Sequence, residues 1–210
     1  MSQASEKSTV ESLDFSIYDL DLKSLDGNCN ILNQNKGKVT MLVNVTGECA
    51  NSPQYTVIQD LYNEYKNLGF EVVATPSVDF CQDAYGEFSD SNASAEKMKE
   101  HMEKKYEVDL PFSEMVNILN ENCELAYYKH NGEQHFLYKK LQENKDPIHG
   151  NFEKFIFSRD GYRYVRFCNS DLLDMALKAG ERDITPEQAL INIKNTIEYF
   201  LKEDDQNNNN

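Results

Sequence analysis

Cysteine is the residue type whose placement in this sequence could do chemistry. The chain holds five, Cys29, Cys49, Cys81, Cys123 and Cys168, scattered and with no C-x-x-C pair. That spacing excludes a zinc ribbon and a dithiol redox motif. The four histidines, His101, His130, His135 and His149, add no metal-ligand spacing. His130 and His135 flank an Asn131-Gly132 turn signal and read as exposed hairpin residues. Taken singly, each cysteine reads as a small buried hydrophobe. Cys49 differs by its setting, between an apolar strand ending at Val45 and a helix opening near Pro53. A thiol there faces backbone N–H groups and the positive end of the helix dipole, which favour the thiolate. Such settings lower a cysteine pKa from ~8.5 to about 3.5–7.5. Glu48 next door pushes the other way, because a neighbouring carboxylate disfavours a second negative charge. On position alone, a reactive thiolate and a buried helix-start residue both stay open.

The elements around Cys49 follow from hydrophobic periodicity. Val39 to Val45 is largely apolar, as expected of a strand buried on both faces. Val57, Ile58, Leu61, Tyr62, Tyr65 and Leu68 then recur at helical spacing until Gly69 stops the pattern. Phe70 to Thr75 is a second short apolar strand, closed by Pro76, so the three form a β-α-β unit with a parallel pair. Phe15 to Leu22 alternates ahead of an Asp26-Gly27 turn and predicts an N-terminal strand or hairpin. Ala95 to Tyr106 predicts a charged, surface-lying helix. Lys154 to Phe167 predicts a hairpin turning at Asp160-Gly161. Thr185-Pro186-Glu187-Gln188 resembles a capping box, and Leu190, Ile193, Ile197, Phe200 and Leu201 give the stripe of a last helix. The expectation is an α/β fold, a central mixed sheet flanked by helices on both faces, with an extra N-terminal hairpin. A single domain over residues 15–203 is expected, between a disordered leader (1–14) and an Asn-rich disordered tail (204–210).

Composition narrows the partners. Against 36 Asp+Glu there are 21 Lys+Arg, a formal charge of −15 over 210 residues. Nucleic-acid binding draws its strength from Lys and Arg, so this balance argues against it. No apolar run is long enough to span a membrane, and the polar N-terminus lacks the apolar core of a secretory signal. A cytoplasmic, reducing location is the default expectation. Twelve Tyr and eleven Phe supply a core, yet the chain contains no Trp.

Asn44-Val45-Thr46-Gly47-Glu48-Cys49-Ala50 resembles the segment that holds the peroxidatic Cys or Sec of glutathione peroxidases. Ile17-Tyr18-Asp19, Leu25-Asp26-Gly27-Asn28 and Lys36-Gly37-Lys38-Val39 resemble that family's opening blocks, in order. Gln54-Tyr55, Gly69-Phe70-Glu71-Val72 and Asn151-Phe152-Glu153-Lys154-Phe155 resemble its later ones. The resemblance covers residues 15–168 and the last helix. It implies a thioredoxin-like fold and a thiol peroxidase that reduces hydrogen peroxide or organic hydroperoxides. Cys49 would attack the distal peroxide oxygen and become a sulfenic acid, which an external thiol, glutathione or a thioredoxin type, would reduce. No bound cofactor or metal is implied.

The family surrounds its nucleophile with a Gln, a Trp and an Asn. Here Asn151 supplies the Asn, Gly150 stands at the Trp position, and strict register puts Asp83 at the Gln position with Gln82 one residue early. The expected site is therefore Cys49 and Asn151, with Gln82 brought in by a loop shift. Glu103 aligns where many cysteine members carry a resolving thiol; Cys81 is either a partner for Cys49 or a loop thiol without one. Each lost donor predicts about 10²- to 10³-fold slower chemistry, and Gly150→Trp with Asp83→Gln is expected to recover it. The alternative is a catalytically impaired member acting as a binding module or redox sensor, its acidic surface and the stretch Ser170 to Thr185 serving a protein partner.

Overall fold

The computed structural model describes residues 9–80, 94–120, 123, 133–173 and 185–207. Five strands, β1 (Glu11–Ser12), β2 (Val39–Val45), β3 (Phe70–Pro76), β4 (Lys154–Phe157) and β5 (Arg163–Phe167), form one sheet. Its order is β1-β5-β4-β2-β3, with β2 and β3 parallel and the other neighbours antiparallel. Helix α1 (Gln54–Tyr65) makes the β2–β3 crossover, and α2 (Ala95–Tyr106), α3 (Phe136–Gln142) and α4 (Pro186–Asn207) are the other α-helices among the described residues. This is the mixed α/β sheet expected from the sequence.

Every residue of β2 is buried, because both faces are covered. Met41 and Val43 join Ile156 of β4 beneath α1 and α4, with Tyr55, Ile58, Ile193 and Ile197. Leu42 points the other way, toward Phe155, Phe157 and the α3 residues Leu137, Tyr138 and Leu141. Period-two alternation thus sends successive side chains into two separate cores. Each large side chain so buried contributes about 1.5–3 kcal/mol against exposure. The β4–β5 turn needs Gly161: its φ is +76°, and an added Cβ would stand 2.5 Å from Ser16 Oγ.

Some expectations change. The alternation in Phe15 to Leu22 is not a strand; Ile17–Asp19 is a 3-10 turn with Ile17 and Tyr18 buried. Tyr18 Oη donates to Lys38 O at 2.6 Å, anchoring the turn against the sheet instead of extending it. The expected N-terminal hairpin is reduced to one antiparallel bridge, Lys23 to Asn30. The leader boundary also moves, since Glu11–Ser12 pairs with β5 at the free sheet edge. At the other end α4 runs to Asn207, past the boundary at 204, as helical hydrogen bonding carries into the polar residues. Helix α3 was unexpected. His135 is not an exposed hairpin residue but the N-cap of α3, accepting from Leu137 N, and burial holds its pKa below the ordinary histidine value. His130, and residues 174–184 of the stretch considered for a partner, lie outside the described residues. Among the described residues no helix is long and apolar enough to cross a membrane.

Candidate active site

Cys49 sits in the tight turns between β2 and α1. Tyr55 Oη of α1 donates to Thr46 O at 2.8 Å, drawing the turn back onto the helix. Ser52 N donates to Cys49 O at 3.0 Å, and Cys49 N donates to Ser52 Oγ at 2.8 Å. This winding aims two donors at the sulfur: Asn51 N at 3.3 Å and the Ser52 hydroxyl at 3.7 Å. The Asn151 side chain also faces the thiol and favours its charged form.

A second loop, residues 150–153, brings Asn151 there. Asn44 of β2, itself buried, holds it at both ends: Asn44 Nδ2 donates to Gly150 O at 3.0 Å and Glu153 N donates to Asn44 Oδ1 at 3.0 Å. Between them Phe152 takes a φ of 73°, a conformation that costs a non-glycine residue about 1–3 kcal/mol. Phe152 N donates to Asn44 O at 2.6 Å, and its ring meets Tyr55 edge-on with centroids 4.7 Å apart, which offsets that strain. Asn51 Nδ2 donates to Asn151 O at 3.1 Å and joins the two loops. Asn151 is buried, and its Oδ1 has no hydrogen-bond partner among the described residues.

The electrostatics weigh the two readings that position alone left open, a reactive thiolate and a buried helix-start thiol. Burial pushes the Cys49 thiol above its ordinary value, and the hydrogen bonds from Asn51 and Ser52, with the Asn151 side chain, only partly oppose it. A part-buried thiolate loses hydration that a few N–H and O–H groups do not fully replace. Glu48 is not the source of this. Its carboxylate is turned onto α2, where it accepts from Lys105 Nζ at 2.6 Å, His101 Nε2 at 2.8 Å and Tyr106 Oη at 2.9 Å. Burial raises the Glu48 pKa, but these three bonds outweigh it and hold the carboxyl below its ordinary value. The sequence placed α2 correctly yet gave no sign of this role, because the three donors stand 53 to 58 residues from Glu48.

Of the expected residues, the structure brings Cys49 and Asn151 together. Gln82, with Cys81 and Asp83, lies outside the described residues. Gly150 lies beside the site, and the side chain against it is Asn169, from the loop after β5.

The family model described as glutathione peroxidase matches residues 17–142, a stretch that includes Cys49. The chain belongs to the glutathione peroxidase family. It is 31% identical over 152 residues to the glutathione peroxidase-like peroxiredoxin gpx1 of Schizosaccharomyces pombe, covering 72% of this chain and 88% of that one. Against glutathione peroxidase-like peroxiredoxin 2 of Saccharomyces cerevisiae it is 30% identical over 158 residues, covering 73% and 88%. Among solved structures, the apo form of Trgpx superposes with a TM-score of 0.54 at 21% identity, covering 89% of this chain and 97% of that one. The structure of T. cruzi GPX1 gives 0.54 at 22%, covering 89% and 96%. These superpositions carry the thioredoxin-like fold of this glutathione peroxidase family member.

Proposed function

We propose that the protein is a glutathione-peroxidase-like thiol peroxidase acting on hydrogen peroxide or organic hydroperoxides through Cys49. The observation that carries this reading is the convergence of Asn51 N and the Ser52 hydroxyl on one sulfur, with the Asn151 side chain also favouring its charged form. Those donors stabilise negative charge on sulfur, and the thiolate is the nucleophile. The thiolate attacks the distal oxygen of the hydroperoxide. The S–O bond forms as the O–O bond breaks, sulfur is oxidised to a sulfenic acid, and the proximal oxygen leaves as alkoxide or hydroxide to be protonated. Asn151 Oδ1, buried and unbonded within the described residues, offers an acceptor to a hydroperoxide O–H. Gln82 is the further carboxamide in this reading. An external thiol, glutathione or a thioredoxin type, then reduces the sulfenic acid and releases water.

The names of the yeast relatives support the enzymatic reading over the binding-module alternative. The raised thiol pKa makes the thiolate a minority at neutral pH, in keeping with weak activity and a rate that climbs with pH. The test is peroxide-dependent thiol turnover by the purified protein beside Cys49→Ser. Turnover lost in the variant, with sulfenic acid trapped on Cys49 of the parent, is the expected result. Turnover that survives in Cys49→Ser would remove the proposal.

A further inference from the structure

Three consecutive carbonyls, on Gly150, Asn151 and Phe152, each accept a hydrogen bond from a different side chain. Asn44 Nδ2 of β2 donates to Gly150 O at 3.0 Å, Asn51 Nδ2 to Asn151 O at 3.1 Å and Lys154 Nζ of β4 to Phe152 O at 2.7 Å. Asn44 and Lys154 are buried strand residues, so two of the three donors fix the loop to the sheet. Asn51 is half-buried and belongs to the Cys49 turn, where its own backbone N–H stands 3.3 Å from the sulfur. Of the three, it is the one that ties the Asn151 backbone to the nucleophile.

The bond falls at the strained point of the loop. Phe152 has a φ of 73°, a left-handed conformation that a bulky side chain disfavours. A return to negative φ rotates the peptide plane between Asn151 and Phe152, turning its carbonyl and its N–H away from their partners. Both ends of that plane are engaged, by different elements. Asn51 Nδ2 holds the carbonyl from the Cys49 turn, and Phe152 N donates to Asn44 O of β2 at 2.6 Å. Without Asn51 the carbonyl end is released, and the strain at Phe152 favours a rearranged loop in which Asn151 no longer meets the sulfur.

We infer that Asn51 is a positioning residue: its carboxamide pins the Asn151–Phe152 peptide plane in the strained orientation and so holds the Asn151 side chain at Cys49. Its part in peroxide reduction rests on the peroxidase reading of Cys49; its action on the thiol does not. The backbone N–H and the side chain of one residue thus act on the site by separate routes, the first on the sulfur and the second through Asn151.

A double-mutant cycle tests this. Asn51→Leu keeps the bulk of the side chain and removes the donor, and Asn51→Ala removes both; each leaves the backbone N–H to sulfur in place. Iodoacetamide alkylation of Cys49, read by peptide mass spectrometry, is followed against pH in the parent, the Asn51 variants, Asn151→Ala and the double variants. Stopped flow gives the rate of Cys49 oxidation by hydrogen peroxide in the same set. Asn51→Leu should move the alkylation profile to higher pH, as Asn151→Ala does, with the rate at pH 7 falling about 3- to 10-fold, the weight of one hydrogen bond. Peroxide oxidation should fall with it. In the Asn151→Ala background the same substitution should change either rate by less than about 1.5-fold. An unmoved alkylation profile in both Asn51 variants would overturn the inference. Full additivity with Asn151→Ala would overturn it as well, because the side chain would then be supporting the Cys49 turn directly. A parent whose Cys49 alkylates but resists peroxide removes the peroxidase reading, and the alkylation cycle still decides the role of Asn51 at the thiol.

Discussion

Glu48→Gln separates two accounts of a carboxylate beside a nucleophile. If the charge acted on the sulfur, removing it would lower the thiol pKa. The structure gives the carboxylate another task, as the acceptor for three donors of α2. The substituted carboxamide retains the shape but accepts through one oxygen only and carries no charge. The Glu48 side chain is 21% exposed against 49% for Lys105 and 29% for His101. Exposed pairs contribute about 0.2–1 kcal/mol and more enclosed charged hydrogen bonds about 1.5–3. A total loss of about 1–2 kcal/mol follows for this half-exposed cluster, or about 2–8 °C in Tm for a chain of this size. The folded carboxyl pKa is depressed, so the stabilisation is present in full above the unfolded value near ~4.3 and fades as pH falls through the folded one. Urea denaturation should therefore separate parent and variant at pH 7, and the gap should close in acid. The pH profile of Cys49 alkylation should not move, because what acts on the thiol is its burial, its bonds to Asn51 and Ser52, and the Asn151 side chain. An alkylation profile displaced to lower pH in Glu48→Gln, or equal stability at pH 7, would refute this reasoning.

Asn151→Ala removes a polar side chain that favours the thiolate, so the Cys49 alkylation profile should move to higher pH, further above the ordinary cysteine value. An unmoved or lowered profile would contradict the contact. Asn44→Ala leaves Gly150 O and Glu153 N without their partner in a buried loop, at about 1–3 kcal/mol for each group. Chemical denaturation should show a loss of about 2–5 kcal/mol, and alkylation of Cys49 should lose the Asn151 contribution as the loop shifts. Stability within about 0.5 kcal/mol of the parent would remove Asn44 as the anchor.

Local patterns in the sequence determined most of the frame. The largely apolar Val39–Val45 run, the helical stripe that follows and the left-handed Gly69 each encode their element through neighbours a few residues apart. The same holds for the Asp160-Gly161 turn and for Thr185, whose Oγ1 accepts from Gln188 N at 3.2 Å. Phe15 to Leu22 misled because alternation cannot tell a strand from a 3-10 turn fixed by distant bonds, here Tyr18 to Lys38. Helix α3 has only seven residues, too few for a clear periodic signal.

For the site, the sequence by itself determined the place of Cys49, in a turn between a buried strand and a helix, and its resemblance to the family named Asn151 as the companion. Only the tertiary structure decided the electrical state of that site. Thiol pKa depends on burial, which no local pattern reports, so a helix-start cysteine whose position left both states open is pushed up. Glu48, adjacent in sequence, is withdrawn onto α2, while Asn169, far along the chain, fills the space beside Gly150. Charge and hydrogen bonding act through distance in space, and the fold sets those distances by bringing remote loops against one sulfur.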